Sequence, residues 1–127
     1  MPRLLVADDN DDHREMMAEA FRHTNLEADF AANGDEALNK YAEAIIANHP
    51  YDLLILDVAM PDMTGIRVGE IIRQSNYQTP LIFYTAYPAA VSHGRAAMLE
   101  GAIFLEKPLE ITELIEKVNE TLKGRST

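Results

Sequence analysis

The stretch that decides the fold is Leu53-Leu54-Ile55-Leu56-Asp57, four apolar residues that end in a carboxylate. Because apolar residues do not alternate with polar ones, the run is typical of a central parallel strand that is covered on both faces. Similar but shorter or weaker runs occur before and after it, and each is bounded by turn-forming or acidic residues. These further predicted strands lie at 4–7, 27–31, 81–84 and 102–105.

Helix-like segments separate the predicted strands. Their apolar side chains recur at intervals of three and four residues, which is the spacing of one helix face. The predicted helices begin after the acidic cluster 8–12, at Asp35, at Thr64, at Pro88 and close to Ile111. Alternating strands and helices predict an α/β fold, a five-stranded parallel sheet doubly wound by helices in a flavodoxin-like (βα)5 order. We expect one domain over residues 1–123 and a frayed tail at 124–127.

Length, charge and composition restrict the class of protein. The chain has 127 residues, which fits a single domain, and no cysteine, so disulfides and thiolate metal sites are excluded. Its formal net charge of −10 disfavours binding to nucleic acid. The apolar runs are too short to span a membrane, and Met1-Pro2-Arg3 leads directly into a predicted strand, which leaves no room for a signal peptide. We therefore expect a cytoplasmic location and no membrane partner.

Polar residues stand where the predicted strands end. Because the carboxyl ends of parallel strands meet at one edge, where ligands bind in such folds, these residues are expected to converge. Clustered carboxylates repel one another unless a cation lies among them, and oxygen ligands without His or Cys suit Mg²⁺. A strand-end carboxylate can also attack phosphorus, while a lysine and a hydroxyl stabilise the transferred group. In strand order the set is Asp8, Asp9, Asp57, Thr85 and Lys107.

Five segments together resemble the response-regulator receiver domain of two-component signalling along essentially the whole chain. One such segment would be weak, but five in the right order, at the strand ends, are very specific. The segments are Val6-Ala7-Asp8-Asp9-Asn10, Asn33-Gly34-Asp35-Glu36-Ala37-Leu38, Leu56-Asp57-Val58-Ala59-Met60-Pro61-Asp62-Met63-Thr64-Gly65, Tyr84-Thr85-Ala86 and Phe104-Leu105-Glu106-Lys107-Pro108.

The resemblance assigns roles to the acidic residues. It implies that Asp57 is the phosphoacceptor. It also implies a Mg²⁺ (or Mn²⁺) ion held by Asp8, Asp9, Asp57 and the backbone carbonyl of Ala59. The donor would be a histidine kinase or a phosphotransfer protein. The domain would catalyse only its own phosphorylation and dephosphorylation, so it is not expected to be an enzyme in the ordinary sense.

Other positions are implied to transmit the signal. Thr85 takes the place of the switch hydroxyl, Lys107 pairs with the phosphoryl group, and Phe104 takes the place of the switch aromatic. In the family the peptide bond between this lysine and the following Pro108 is usually cis. The conformational change would reach the face formed by the fourth helix, fifth strand and fifth helix, residues 88–122, and through it a downstream effector domain or protein.

Three other functions compete with this interpretation. A phosphatase of the haloacid-dehalogenase type needs an acid two residues after its nucleophile, where this chain has Ala59. A flavodoxin-type FMN protein needs a phosphate-cradling loop after the first strand, where this chain has the acidic run 8–12. A phosphorylation-independent interaction module typically lacks one of the acid, threonine or lysine positions, and none is missing; it remains the alternative.

Two further interpretations concern the positions that follow the phosphoacceptor and the switch hydroxyl, and the four histidines. Many relatives have polar side chains two residues after the phosphoacceptor and two after the switch hydroxyl, where this chain has Ala59 and Tyr87. We therefore expect the acyl phosphate to be long-lived. The four histidines share no spacing, and we interpret all of them as surface residues that take no phosphoryl group; they are His13, His23, His49 and His93.

Overall fold

Five parallel strands form one sheet in the order β2-β1-β3-β4-β5. The computed structural model describes residues 1–75, 78–86, 99, 101–108 and 110–125. The strands are β1 Arg3–Ala7, β2 Glu27–Ala31, β3 Leu53–Asp57, β4 Leu81–Thr85 and β5 Ile103–Glu106. The described helices are α1 Asp11–Arg22, α2 Gly34–Ile46, α3 Gly65–Gln74 and α4 Ile111–Arg125. The five-stranded, flavodoxin-like α/β fold predicted from the sequence is confirmed.

Two apolar layers cover the sheet, one on each face. Alternate residues of a strand point to opposite faces, so Leu5 and Ala7 belong to one layer and Leu4 and Val6 to the other. Helices α2 and α3 complete the first layer, and helices α1 and α4 complete the second. All five residues of β3 are buried, as expected for a central strand with helices on both faces.

Side-chain caps fix where three of the helices begin. Asn10, Asn33 and Thr64 precede α1, α2 and α3, and each side-chain oxygen accepts a hydrogen bond from the backbone N–H three residues later. Such a cap satisfies one of the N–H groups that have no partner within the helix, and it stabilises a helix by about 1 kcal/mol. The caps of α1 and α3 therefore determine how the chain leaves β1 and β3, next to the two strand ends that carry carboxylates.

The last two predicted helices are described to different extents. The helix predicted from Pro88 lies almost entirely outside the described residues. At the carboxyl end, α4 continues to Arg125, so Gly124 belongs to a helix and not to a frayed tail that begins at that residue; helix ends commonly differ by one or two residues. Across the described segments, no helix combines the length and apolar character needed to cross a membrane.

Candidate functional site

The register of the sheet brings the predicted site residues to one edge. Ala7 pairs with Leu56, so the carboxylate that follows β1 lies beside Asp57 at the end of β3. Asp57 in turn pairs with Tyr84, and the next residue of β4, Thr85, pairs with Glu106. Backbone N–H groups extend the ladder beyond the strands, since the Lys107 N–H donates to the Thr85 carbonyl at 2.8 Å. The strand ends are therefore aligned to within about one residue.

Three carboxylates form a cluster at this edge. Asp8, Asp9 and Asp57 each offer one oxygen, and these oxygens all lie within 4.8 Å of one another. Asp8 and Asp57 are buried, whereas Asp9 is exposed, so the cluster has one side open to solvent. Mg²⁺ binds carboxylate oxygens and keeps several waters, and this set of hard oxygen donors with an open side fits such an ion.

Asp57 is held by a lysine and by the backbone. Lys107 Nζ lies 3.0 Å from Asp57 Oδ1, and the Ala59 N–H donates to the same oxygen at 3.1 Å. Burial raises the pKa of the Asp57 carboxyl, and the neighbouring charge of Asp8 raises it further, while Lys107 and the Ala59 N–H oppose the rise. Because both described donors reach Oδ1, the other oxygen, Oδ2, is the one left able to attack an electrophile.

Asp8 is fully buried and accepts hydrogen bonds on both oxygens. The Asn10 N–H donates to Oδ1 at 2.9 Å, and the Tyr84 hydroxyl donates to Oδ2. His13 Nδ1 also lies 3.1 Å from Oδ2. Burial and the hydrogen bond to Asp8 raise the pKa of Tyr84, so its phenol is neutral. His13 keeps 40% of its side chain exposed, so it lies at the surface as expected, yet the first turn of α1 also carries its ring to Asp8.

The remaining predicted residues lie around this cluster. Thr85 is buried at the end of β4, and Ala59 lies in the loop between β3 and α3. Phe104 is partly buried on β5 and stacks on Phe83, with ring centroids 5.4 Å apart and 20° between the ring planes. The peptide bond between Lys107 and Pro108 is cis, as the resemblance implied. Tyr87 and His93 lie outside the described residues.

The backbone approaches closely where α3 begins. A Cβ atom on Gly65 would lie 2.3 Å from the Asp57 carbonyl oxygen, so any side chain there would force the backbone to shift. The Gly65 N–H also donates to the Val58 carbonyl at 3.2 Å, which folds the loop back against the end of β3. Gly65 is thus required by the approach of α3 to the strand that carries Asp57.

Two site residues, Tyr84 and His13, were not predicted from the sequence. Tyr84 carries a hydroxyl within an otherwise apolar run, and a buried tyrosine hydroxyl normally has a hydrogen-bond partner. That feature predicts that the Tyr84 hydroxyl has a hydrogen-bond partner, although it does not identify the partner. His13 follows the cap residue Asn10 by three positions, and nothing in that spacing indicates a contact with the preceding strand end.

Comparisons with known proteins give one consistent result. A family model described as the response regulator receiver domain matches residues 4–119. The chain is 35% identical to the regulatory protein AtoC of Escherichia coli over 125 residues, which is 98% of the chain and 26% of AtoC. It is 31% identical to the response regulator protein PilR of Pseudomonas aeruginosa, covering 98% of the chain and 27% of PilR. The chain therefore spans about a quarter of the length of these two relatives.

Solved structures show the same similarity over the whole fold. The receiver domain of the Francisella response regulator 1452 is 30% identical, with a TM-score of 0.84, and all of both chains is covered. The response regulator protein TrrA from Thermotoga maritima, solved in complex with Mg²⁺ and BeF, is 33% identical, with a TM-score of 0.79; 95% of this chain and 99% of TrrA are covered.

Proposed function

The chain belongs to the response regulator receiver family, and from that premise we propose that it is a phosphorylation-activated switch of two-component signalling. Asp57 accepts a phosphoryl group from a histidine kinase or a phosphotransfer protein in a reaction that depends on Mg²⁺ or Mn²⁺. The observation that carries the proposal is the pairing of Asp57 with Lys107 at 3.0 Å inside a cluster of three carboxylates. Together these groups supply a nucleophile, its counter-charge and ligands for a cation.

The chemistry follows from the two oxygens of Asp57. Oδ2, which has no described donor, attacks phosphorus; the bond from phosphorus to the donor's imidazole nitrogen breaks, and an acyl phosphate forms. Asp8, Asp9, Asp57 and the Ala59 carbonyl would hold the ion, which would supply positive charge to the phosphoryl oxygens when bound. Lys107 already lies beside Asp57 and is free to follow the new charge, because an ammonium on a flexible stem acts as a mobile point charge.

Transmission of the signal is proposed to begin at Thr85. Its hydroxyl would bond a phosphoryl oxygen, and Phe104 would then turn inward behind it. Phe104 stacks on Phe83 of the adjacent strand, so its movement would disturb the packing of the sheet edge. The output face comprises β5, α4 and the segment 88–101, most of which lies outside the described residues. Such a switch requires contacts that differ between the two states.

The partners and the setting are part of the same proposal. The donor is a histidine kinase or a phosphotransfer protein, and the recipient of the signal is an effector domain or protein. With a net charge of −10 the domain does not bind nucleic acid directly. We place it in the cytoplasm, with residues 1–123 as the receiver domain, and it acts on no substrate beyond its own Asp57.

The proposal is tested by labelling with a small phosphoryl donor. The full chain is incubated with acetyl phosphate and Mg²⁺, and the added mass is followed with and without EDTA. We expect one phosphoryl group per chain in wild type, none in Asp57→Asn, and none in EDTA. The matched control is Asp62→Asn, which changes an exposed aspartate of the same loop; asparagine tolerates the positive φ of 67° found there.

Three results would contradict the proposal. Labelling of Asp57→Asn at the wild-type level would show that another residue accepts the group. Labelling undiminished in EDTA would remove the role of the metal. A wild-type chain that binds neither phosphate nor beryllofluoride would favour the phosphorylation-independent interaction module instead.

A further inference from the structure

Tyr84 contacts the groups on both sides of the carboxylate cluster. It precedes Thr85 in β4 and is fully buried, with its side chain on the face of the sheet covered by α1 and α4. Its hydroxyl donates to Asp8 Oδ2, and the Lys107 ammonium lies 5.3 Å from the centre of its ring. One side chain therefore links the carboxylate at the end of β1 to the lysine that pairs with Asp57.

The two carboxylate oxygens of Asp8 have different numbers of polar neighbours. A carboxylate oxygen has two lone pairs. Oδ2 has two polar neighbours, the Tyr84 hydroxyl and His13 Nδ1, whereas among the described residues Oδ1 has one, the Asn10 N–H. Oδ1 is therefore the oxygen with fewer polar neighbours among the described residues, and it is the more open of the two to a cation.

Because Asp8 is buried, the orientation of its carboxylate depends on the hydroxyl of Tyr84. Asp8 has no solvent-exposed surface, so water does not replace a lost donor without rearrangement. A carboxylate that binds a metal depends on such outer partners for its orientation, and their removal typically weakens metal binding about 10- to 100-fold.

We propose that Tyr84 is a positioning residue for the metal. Its hydroxyl fixes the Asp8 carboxylate from behind, so that Oδ1 is presented to the ion, and its ring supports the Lys107 ammonium through a cation–π contact. The inference rests on the proposed function, because it requires that Mg²⁺ binds at the carboxylate cluster. A tyrosine that merely fills the core would need a hydrogen-bond partner but would leave metal affinity unchanged when its oxygen is removed.

The test compares Tyr84→Phe with a matched control. Tyr84→Phe removes only the hydroxyl and keeps the ring beside Lys107. Tyr51→Phe removes the same kind of bond, since the buried Tyr51 donates to Asp29 Oδ2 at 2.6 Å, but away from the cluster. Binding of Mg²⁺ is measured by NMR titration of the Asp9 and Asn10 amides, and unfolding temperatures are measured without metal.

We expect the dissociation constant for Mg²⁺ to rise about 10-fold in Tyr84→Phe and to stay at the wild-type value in Tyr51→Phe. Half-maximal labelling by acetyl phosphate should shift to higher Mg²⁺ by the same factor. The rate at saturating Mg²⁺ should approach that of wild type, because Lys107 and the ring are retained.

A folded Tyr84→Phe protein with a wild-type dissociation constant would overturn the inference while leaving the proposed function intact. Absence of Mg²⁺ binding in wild type would overturn both. If Tyr84→Phe does not fold, the hydroxyl proton of Tyr84 decides the question in wild type. The inference requires it to remain hydrogen-bonded and slow to exchange when Mg²⁺ is added, and loss of that bond on addition of Mg²⁺ would contradict it.

Discussion

Lys107 Nζ lies 3.0 Å from Asp57 Oδ1, and the Ala59 N–H donates to the same oxygen at 3.1 Å. The ammonium and the backbone dipole thus stabilise the ionised carboxylate in a buried position, yet they do not offset burial fully, because the pKa of Asp57 is raised. The ionised carboxylate of Asp57 therefore destabilises the metal-free fold, and a bound cation is expected to relieve this cost.

The first prediction concerns pH. Because the folded-state pKa of Asp57 lies above its ordinary value of 3.8, the stability linked to this group is complete below pH 3.8 and is lost as pH rises through the raised pKa. In EDTA, the free energy of unfolding of Asp57→Asn should exceed that of wild type at neutral pH, and the difference should shrink as pH falls toward 4. Urea unfolding at several pH values measures it. A difference that is constant with pH would show that ionisation of Asp57 costs no stability.

A second prediction concerns the metal. Mg²⁺ should raise the unfolding temperature of wild type, because it binds the folded cluster and not the unfolded chain. At 100 times the dissociation constant the gain is about 2.7 kcal/mol. Asp57→Asn and Asp9→Asn should lose most of this gain, whereas Asp62→Asn should keep it. Calorimetry with increasing Mg²⁺ provides the measurement, and equal gains in all four proteins would place the ion elsewhere.

Removal of the switch groups should separate chemistry from signal. Thr85→Ala and Lys107→Ala should still bind Mg²⁺, since neither residue belongs to the carboxylate cluster. On addition of beryllofluoride they should show only part of the amide shifts that wild type shows in β5 and α4. Thr85→Ser keeps a hydroxyl and should respond like wild type. Identical shifts in Thr85→Ala and wild type would rule out the hydroxyl as the switch.

The lifetime of the acyl phosphate gives a fourth prediction. Hydrolysis needs a water in line with phosphorus, and positioning of that kind changes rates by orders of magnitude. Ala59 offers no side-chain group to hold such a water, so we expect slow loss of phosphate. Ala59→Asn, combined with Tyr87→Glu, should accelerate the loss measurably. A wild-type half-life of seconds at neutral pH, or no effect of the double change, would show that other groups control the water.

The fifth prediction tests the approach of α3 to β3. Gly65→Ala should destabilise the protein by about 1–3 kcal/mol, because its methyl group meets the Asp57 carbonyl and the loop must shift. Gly124→Ala, where nothing lies within 4 Å of the added atom, should be neutral or stabilise α4 by up to about 1 kcal/mol. Urea unfolding compares the two. Equal effects would mean that the close approach places no demand on residue 65.

The pattern of residues along the chain was sufficient to predict the sheet and most of the site. The apolar runs and the 3-and-4 spacing predict strands and helices because burial on a sheet face or a helix face imposes those periods. The sequence also predicts which polar side chains lie close together, since the carboxyl ends of parallel strands share one edge of the sheet. These residues are Asp8, Asp57, Thr85 and Lys107. The roles assigned to these residues remain predictions that the experiments above examine.

Only the tertiary structure decided the partners of Asp8. Tyr84 lies 76 residues away along the chain from Asp8. The register of β1, β3 and β4 brings it level with the end of β1, and its side chain points to the sheet face from which its hydroxyl reaches Asp8. His13 reaches the same carboxylate through the rotation of α1, which the Asn10 cap sets. A one-dimensional pattern specifies which residues are buried, but the atom that a buried polar group bonds depends on register and rotation, which are fixed when the two apolar layers pack.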